Sequence, residues 1–212
     1  MYRIYFNQRC LAVCSLKHKD LQEPDAVIYS PEVFPNLPQL PELPDLLELF
    51  EESPHISKLY VPVPDNKLAF AQVTSKLSHI AAGGGIVTNI NGDYLIIFHH
   101  GVWDFPKGMQ EDNEDIQHTA LREVEEECGV HDLEIKEYLC DTYHTYHRDG
   151  EFILKTTHWY RMEYKGNGFE TCPQAEEEIE RAIWVSEHEL PTYLDTSYPS
   201  IQYLYKFVTG KI

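Results

Sequence analysis

The segment from Gly108 to Val130, GMQEDNEDIQHTALREVEEECGV, constrains this chain more than any other part of its sequence. Its apolar residues recur at helical spacing and predict one helix over Asp115 to Cys128. The apolar stripe of this helix consists of Ile116, Ala120, Leu121 and Val124. Three glutamates at i, i+3 and i+4 project together from one face, namely Glu123, Glu126 and Glu127. Gly129 is typical of the left-handed cap that ends a helix.

Clustered carboxylates need an explanation, because like charges at these spacings destabilise a bare helix by about 0.2–0.5 kcal/mol per pair. A hard divalent cation reverses that sign, since Mg²⁺ prefers carboxylate oxygens together with substrate phosphates. An acidic helix is, from composition alone, more often a solvated face. However, a solvated helix does not require Gly108, Arg122 and Gly129 at their positions. The segment therefore predicts a metal site.

The same segment resembles the Nudix box, the signature of hydrolases that cleave nucleoside diphosphates linked to another group. The match holds at every fixed position, namely Gly108, Glu114, Arg122, Glu123, Val124, Glu126, Glu127, Gly129 and Val130. The resemblance implies a Nudix-type pyrophosphohydrolase that acts on phosphorus-containing anhydrides and requires Mg²⁺ or Mn²⁺. It also implies an α/β fold, a Nudix-type α/β/α sandwich with a mixed sheet, which suits the irregular mixture of predicted strands and helices.

Roles follow from the resemblance for the acidic residues. Glu123 and Glu127 become the principal metal ligands, Glu126 contributes to a second or third ion, and the carbonyl of Lys107 could complete the shell. Arg122 would hold the glutamates in place, as residues around metal ligands commonly do. Glu114 would brace the loop before the helix.

The resemblance also implies a candidate general base outside the box, on the acidic loop before Trp184, QAEEEIERAIW. Glu178 is the first candidate because of its distance from Trp184, and Glu177 is the second. Glu126 or Glu123 of the box remains an alternative. The base would take a proton from the attacking water while the ions neutralise the diphosphate, so activity is expected to rise at alkaline pH.

The residues before the box narrow the substrate. The entry WDFPKG, from Trp103 to Gly108, resembles the subgroup that acts on dinucleoside polyphosphates or diphosphoinositol polyphosphates. Lys107 could contact a distal phosphate, and Gly108 would let the loop approach metal and phosphate closely. Lys155-Thr156 with Tyr160 also resembles this subgroup. The candidate substrate-binding residues are Trp103, Lys107, Gly108, Tyr143 and Tyr160, with Tyr146 as a further aromatic that could stack on a base, although strand aromatics are more often core.

The composition changes near residue 81, which divides the chain into a small α+β segment of unknown role (1–80) and a Nudix domain (81–212). The first segment is predicted to hold a hairpin turning near Asn7-Gln8, an extended proline-rich stretch (Pro31 to Pro44), a helix after Asp45, a strand at 58–63 and a helix at 67–77. The second begins with a hairpin through Asn91-Gly92. Further strands are predicted at 133–146, 152–164 and 183–185, with a helix opening near Ser186. No Gly-Lys-Ser/Thr follows the three adjacent glycines at 83–85, so close backbone packing explains them better than a phosphate loop.

Composition excludes several function classes. The formal charge is −18, and residues 81–212 alone carry 10 basic and 25 acidic residues, which disfavours nucleic acid as a partner. No apolar run reaches the length of a membrane span. Five cysteines without a CxxC pair favour a protein of the reducing cytoplasm. A homodimer is a separate expectation. The competing hypotheses are a non-catalytic Nudix ligand sensor or regulator and a binding scaffold built on residues 1–80.

Overall fold

A computed structural model describes residues 1–22, 26–30, 33 and 42–211. Most of the proline-rich stretch from Pro31 to Pro44 lies outside the described residues, so the conformation expected there stays a prediction. The chain forms two compact units. The first unit contains Met1–His79 and Tyr143–Leu154, and the second contains Ile80–Thr142 and Lys155–Ile212. The domain boundary between residues 80 and 81 likewise stays a prediction, since the first unit also takes in a later segment.

The first unit is built on a mixed sheet. Its own strands are β1 (Tyr2–Phe6), β2 (Arg9–Ser15), β3 (Val27–Ile28) and β4 (Lys58–Val63), in the order β1-β2-β4-β3. β1 and β2 are antiparallel and joined through Asn7, whose φ is +52°, which confirms the predicted hairpin. β4 lies parallel to β2 and to β3. The outer neighbour of β1 is the parallel strand β9, with Ile4 opposite Tyr143.

Two helices cover the core of the first unit: α1 (Leu46–Glu51) and α2 (Asn66–Val73). Both were predicted, but α2 stops at Val73 instead of continuing to residue 77. The side-chain hydroxyls of Thr74 and Ser75 donate to the carbonyls of Phe70 and Gln72, which offers the backbone an alternative to further helix. The core contains Ile4, Leu11, Val13, Leu46, Phe50, Leu59, Val61, Val73 and Leu154.

The second unit has a sheet in the order β11-β6-β5-β10-β9. These strands are β5 (Ser78–Thr88), β6 (Tyr94–His99), β9 (Leu133–Arg148), β10 (Glu151–Tyr164) and β11 (Ile179–Val185). Two short strands extend it, with β7 (Val102–Asp104) pairing with β6 and β8 (Lys107–Met109) with β5. β9 and β10 continue from one unit into the other and turn at Asp149-Gly150, where both φ angles are positive.

Helices lie on both faces of this sheet: α3 (Ile116–Cys128), α4 (Leu190–Leu194) and α5 (Pro199–Val208). Alternate residues of β6 reach opposite faces, since Leu95 and Ile97 pack with Val124 of α3, whereas Tyr94 and Ile96 pack with Leu204 of α5. The predicted α/β/α sandwich with a mixed sheet is therefore confirmed.

The last predicted strand and helix differ from the structure in their bounds. β11 begins at Ile179 instead of Ile183, because a bulge between Ile179 and Arg181 interrupts its alternation, which hides the first half of the strand from sequence patterns. The helix expected near Ser186 begins only at Leu190. Ser186 instead forms a turn in which its hydroxyl accepts the backbone N–H of Glu189 at 3.3 Å.

Within the described residues no helix is both long and apolar enough to cross a membrane. All five cysteines carry free thiols. Cys10 and Cys14 are buried in the first unit, and burial raises the pKa of Cys10 to about 12, so its thiol stays protonated at neutral pH. Both residues pack in the interior of this unit.

Candidate active site

The helix α3 is held at both ends by its own sequence. The carboxylate of Asp115 accepts the N–H groups of Gln117 and His118 and so caps the N-terminus. Gly129 adopts φ +65° at the other end and donates its N–H to the carbonyl of Glu125, which confirms the predicted left-handed cap. The helix buries Ala120 and Val124 against the sheet, and the same packing fixes the positions of the glutamates between them.

Three carboxylates meet at this helix. Oxygens of Glu123, Glu127 and Glu177 all lie within 4.8 Å of one another. Glu123 and Glu127 are only 5% and 3% exposed, whereas Glu177 is exposed. Burying carboxylates is costly unless a positive charge neutralises them, and a set of carboxylate oxygens is what hard divalent cations prefer. The donor set therefore fits Mg²⁺ or Mn²⁺.

The cluster also perturbs its own ionisation. Burial raises the pKa of Glu127 to about 8, although Lys107 opposes the shift. Burial raises the pKa of Glu123 as well, against the opposing charge of Arg122. Without a cation, Glu127 therefore favours its protonated form at neutral pH, and a bound cation must displace that proton.

The loop before the helix is fitted closely to these carboxylates. The backbone N–H of Lys107 donates to Glu127 Oε2 at 2.8 Å. A Cβ at Gly108 would collide with the carboxylate of Glu123, so glycine lets the loop pass here without displacing that carboxylate. β8 holds this loop against β5, with Gly83 opposite Gly108 and Gly84 opposite Lys107.

The three glycines of β5 serve close packing. A Cβ at Gly83 would lie 2.6 Å from the backbone nitrogen of Ala120 in α3. The next two glycines approach the side chains of Trp159 and Met162 just as closely. This confirms the packing interpretation of the glycine run and explains how α3 comes near enough to the sheet for its glutamates to reach the loop.

Arg122 links the helix to the loop. Its guanidinium donates to Glu114 at 2.9 and 3.0 Å and to the carbonyl of Met109 at 3.0 Å. It also lies 2.9 Å from oxygens of both Glu123 and Glu126. Hydrogen bonding to Arg122 holds the pKa of Glu114 well below its usual range, so this pair stays charged. Glu126 is not one of the three clustered carboxylates, and 46% of its side chain is exposed.

The acidic loop before β11 reaches the cluster through backbone hydrogen bonds. The N–H groups of Cys172 and Gln174 donate to the carbonyls of Cys128 and Glu127 at 2.8 and 3.3 Å. A single 3-10 turn, Ala175–Glu177, then brings Glu177 to the other carboxylates. Glu178 adopts φ +57° and lies 3.5 Å from His100 instead. Of the two residues proposed as base on this loop, the structure brings only Glu177 into the cluster.

The aromatic candidates occupy packed positions. Trp103 packs on Phe98 and Tyr193, with ring centroids 5.0 Å from each, and Arg181 lies over its ring. Tyr160 is 5% exposed in the core beneath α3. Tyr143 belongs to the first unit, where its ring contacts Tyr2 and Phe70. Stacking of a base by these rings stays a prediction.

Two charged residues join the site that the motif alone did not assign. Asp104 is 3% exposed and lies 2.8 Å from the ammonium of Lys107. Burial would lower the pKa of Lys107, but Asp104 and Glu127 outweigh it and raise that pKa. Burial and the charge of Lys107 lower the pKa of Lys155 to about 8, with Glu127 and Glu123 acting in the opposite direction. A signal for Lys155 existed in the sequence, since it shares its strand face with the buried Trp159 four residues later.

We expect the metal-free protein to lose stability as pH rises, because Glu127 has a folded-state pKa near 8 against an ordinary value of 4.5. The folded state holds the extra proton between these values, so its advantage is full below about pH 4.5 and is lost as pH rises through 8. Denaturant unfolding in EDTA from pH 5 to 8.5 measures this against Glu127→Gln, which cannot ionise. The difference in the free energy of unfolding between the two proteins should change by at least ~1 kcal/mol over this pH range, since one pKa unit corresponds to about 1.4 kcal/mol. Parallel curves would contradict the expectation.

Comparison with known proteins places these features in context. A NUDIX domain family model matches residues 78–205. Nudix hydrolase 2 of Arabidopsis thaliana is 30% identical over 137 residues, which is 61% of this chain and 45% of that protein. Putative mutator protein MutT4 of Mycobacterium tuberculosis is 32% identical over 93 residues, 44% of this chain and 36% of that protein. The chain thus spans less than half the length of these curated relatives.

Solved structures that match this chain include the binary complex of a C. elegans Ap4A hydrolase. It is 18% identical, covers 62% of this chain and 96% of its own, and has a TM-score of 0.46. The MutT protein from Methanosarcina mazei Go1 is 16% identical, covers 64% of this chain and 97% of its own, and has a TM-score of 0.48.

Proposed function

This chain belongs to the Nudix family, and from that premise we propose that it hydrolyses a phosphoanhydride bond with the help of Mg²⁺ or Mn²⁺. The observation that carries the proposal is the cluster of Glu123, Glu127 and Glu177, two of them almost fully buried. Without a cation, a buried pair of carboxylates would lower the stability of the folded state. The proposed substrate class is a dinucleoside polyphosphate or a related polyphosphate.

The chain's own residues divide the work of holding the cation. Glu123, Glu127 and Glu177 supply oxygens, the N–H of Lys107 fixes one oxygen of Glu127, and Arg122 fixes Glu123. A cation bound there would neutralise phosphate charge and acidify the attacking water. Glu126, paired with Arg122 at the rim, remains the proposed ligand of a second or third ion.

Two lysines support a polyphosphate as substrate. Burial and the charge of Lys107 lower the pKa of Lys155, against the charges of Asp104, Glu127 and Glu123. An arriving phosphate would add negative charge beside Lys155 and so favour its protonated form. Trp103, Gly108, Tyr143 and Tyr160 stay predictions as substrate contacts.

We expect Lys155→Gln to raise the KM for a polyphosphate substrate by about tenfold or more, with a smaller effect on kcat, because a charge-assisted hydrogen bond contributes roughly 1.5–3 kcal/mol. Steady-state kinetics at pH 7, where Lys155 is charged, measures the change. Lys136→Gln is the matched control, since Lys136 pairs with Glu134 and Glu163 on the surface. Equal KM values for both variants would remove Lys155 from the phosphate site.

Replacing Gly108 tests whether the loop must pass close to the carboxylate of Glu123, a proposed metal ligand. We expect Gly108→Ala to lower metal-dependent turnover by about a hundredfold, because the new methyl group displaces the carboxylate of Glu123 and a shift of about 1 Å in a site can cost that much. Gly168→Ala is the control, since a Cβ there meets nothing within 4 Å. Titration with Mn²⁺ should show weaker binding to the first variant only. Unchanged Mn²⁺ affinity in Gly108→Ala would show that Glu123 is not a ligand.

The activity is tested by product analysis after incubation with Mg²⁺ and a panel of compounds. The panel holds diadenosine polyphosphates, ADP-ribose, NADH, nucleoside triphosphates and a diphosphoinositol polyphosphate. Turnover of one compound that disappears in EDTA establishes both the reaction and its substrate class. Binding of a nucleotide without any turnover would instead support the non-catalytic ligand sensor. The homodimer and the cytoplasmic location stay predictions from the sequence.

A further inference from the structure

A cavity of about 510 Å³ lies at the far end of β5 from the carboxylate cluster. We call it the distal pocket; it is lined by residues 88–90, between β5 and β6, and by residues 163–167 and 169, at the end of β10 and beyond. Gly84 of β5 pairs with Lys107 at the cluster, and Thr88 lies four residues further on, which is about 13 Å along a strand. The distal pocket is therefore separate from the phosphate site, and its volume suits a small molecule.

Aromatic side chains form one wall of the distal pocket. Tyr164 and Phe169 line it, and both rings pack on Trp184, with centroid distances of 5.3 and 6.3 Å. Phe169 is 44% exposed although it is large and apolar, and Ile90 at the rim is 88% exposed. Trp184 contacts the rings of both Tyr164 and Phe169 and does not itself line the distal pocket. Partially exposed aromatic rings in a concave site offer a surface on which a planar ligand can stack.

The charges of the distal pocket differ from those of the phosphate site. Its lysine, Lys165, is already paired with Glu163, and a second carboxylate, Glu134, lies 3.5 Å away. A polyphosphate would meet an already paired lysine here, whereas at the carboxylate cluster a bound divalent cation together with Lys155 would receive it. The remaining polar residues on the walls include Thr88 and Asn167, whereas the side-chain amide of Asn89 is already hydrogen-bonded to Asn91 and Asp93 in its own turn. Neutral hydrogen-bonding groups next to aromatic rings suit an uncharged planar heterocycle.

We propose that the distal pocket binds an uncharged nucleoside, with its base stacked on Phe169 and Tyr164 and covered by Ile90. The ligand occupies this pocket independently of any phosphate-bearing molecule at the carboxylate cluster. Binding there is separate from hydrolysis, so the proposal stands or falls apart from the proposed activity.

Calorimetric titration of the full chain with adenosine, guanosine and uridine tests the proposal. We expect at least one nucleoside to bind, and Phe169→Ala to weaken it about tenfold or more, since base stacking on an aromatic side chain contributes that much. Phe207→Ala is the matched control, because Phe207 is 42% exposed on α5 and does not line the pocket. Ile90→Asn, at a position too exposed to affect folding, should also weaken binding.

Two further measurements separate the distal pocket from the catalytic cleft. Lys155→Gln should leave nucleoside affinity unchanged, and a saturating, non-hydrolysed polyphosphate analogue should not displace the nucleoside. Absence of binding by all three nucleosides at millimolar concentration overturns the proposal. So does equal binding by Phe169→Ala and Phe207→Ala, and so does loss of binding in Lys155→Gln, which would place the nucleoside in the catalytic cleft.

Discussion

Glu127→Gln should abolish nearly all turnover while the protein stays folded. Glu127 is 3% exposed and its carboxylate accepts the N–H of Lys107, a contact that the amide oxygen of glutamine can preserve. The substitution removes the charge that would neutralise a cation, and a loss of several kcal/mol of charge stabilisation corresponds to about a thousandfold in rate. Single-turnover kinetics with saturating Mg²⁺, on the compound identified from the panel, measures the loss.

Glu125→Gln is the control for this experiment, because Glu125 lies on the same helix, its side chain is 38% exposed, and its carboxylate lies 3.9 Å from His131. It should retain turnover within a few-fold. Thermal unfolding in EDTA at pH 8 should show Glu127→Gln to be at least as stable as the unmodified protein, since it removes a buried ionisable group. If both variants are equally active, Glu127 does not hold a catalytic cation.

Glu177→Gln should lower kcat by between about a hundred- and ten-thousandfold, the range typical of a group that moves a proton in the transition state. Glu178→Gln should lower it only a few-fold, because Glu178 lies against His100 and outside the carboxylate cluster. The two residues are adjacent and exposed, so the pair forms its own control for folding.

The pH dependence of kcat/KM distinguishes the possible roles of Glu177. If Glu177 takes the proton, its glutamine variant should lose the acid limb of the profile. If Glu177 only holds a cation, raising the Mn²⁺ concentration should restore activity and keep that limb. A large loss in Glu178→Gln with little change in Glu177→Gln would reverse the assignment and require the acidic loop to rearrange when substrate binds.

The sequence was sufficient for the helix and its glutamates, because those features are local. The cap at Asp115, the apolar stripe and the terminal glycine all act within a few residues of one another, so spacing alone determines which side chains share a face. Residue spacing could not show whether Glu177 or Glu178 reaches the carboxylate cluster. That outcome depends on one left-handed residue at the end of a 3-10 turn, and that turn is fixed by hydrogen bonds to α3 from residues far away in sequence.

Whether Lys155 and Tyr143 lie near the carboxylate cluster also depends on long-range strand pairing, which the sequence alone does not show. A strand pattern shows which residues alternate, but it does not show which face meets the active site. Tyr143 looked like a residue that could stack on a base, yet it lies in the first unit against Tyr2 and Phe70. The sequence singles out Lys155 through the resemblance of Lys155-Thr156 to one subgroup, but only the fold buries it and brings it under the charges of Lys107 and Glu127.

Because the long strands β9 and β10 contribute residues to both units, cutting the chain between residues 80 and 81 does not separate the units. Residues 143–154 are inserted into the second unit's sequence but complete the core of the first, where Leu154 is fully buried. A fragment beginning at residue 81 would therefore keep the hairpin of residues 143–154 but lack the rest of the first unit's core. The apolar residues of this hairpin would be exposed, and exposed strand edges promote aggregation. Deleting residues 1–80 thus cannot serve as a clean test of what they do, and their role has to be read from point substitutions in the intact chain.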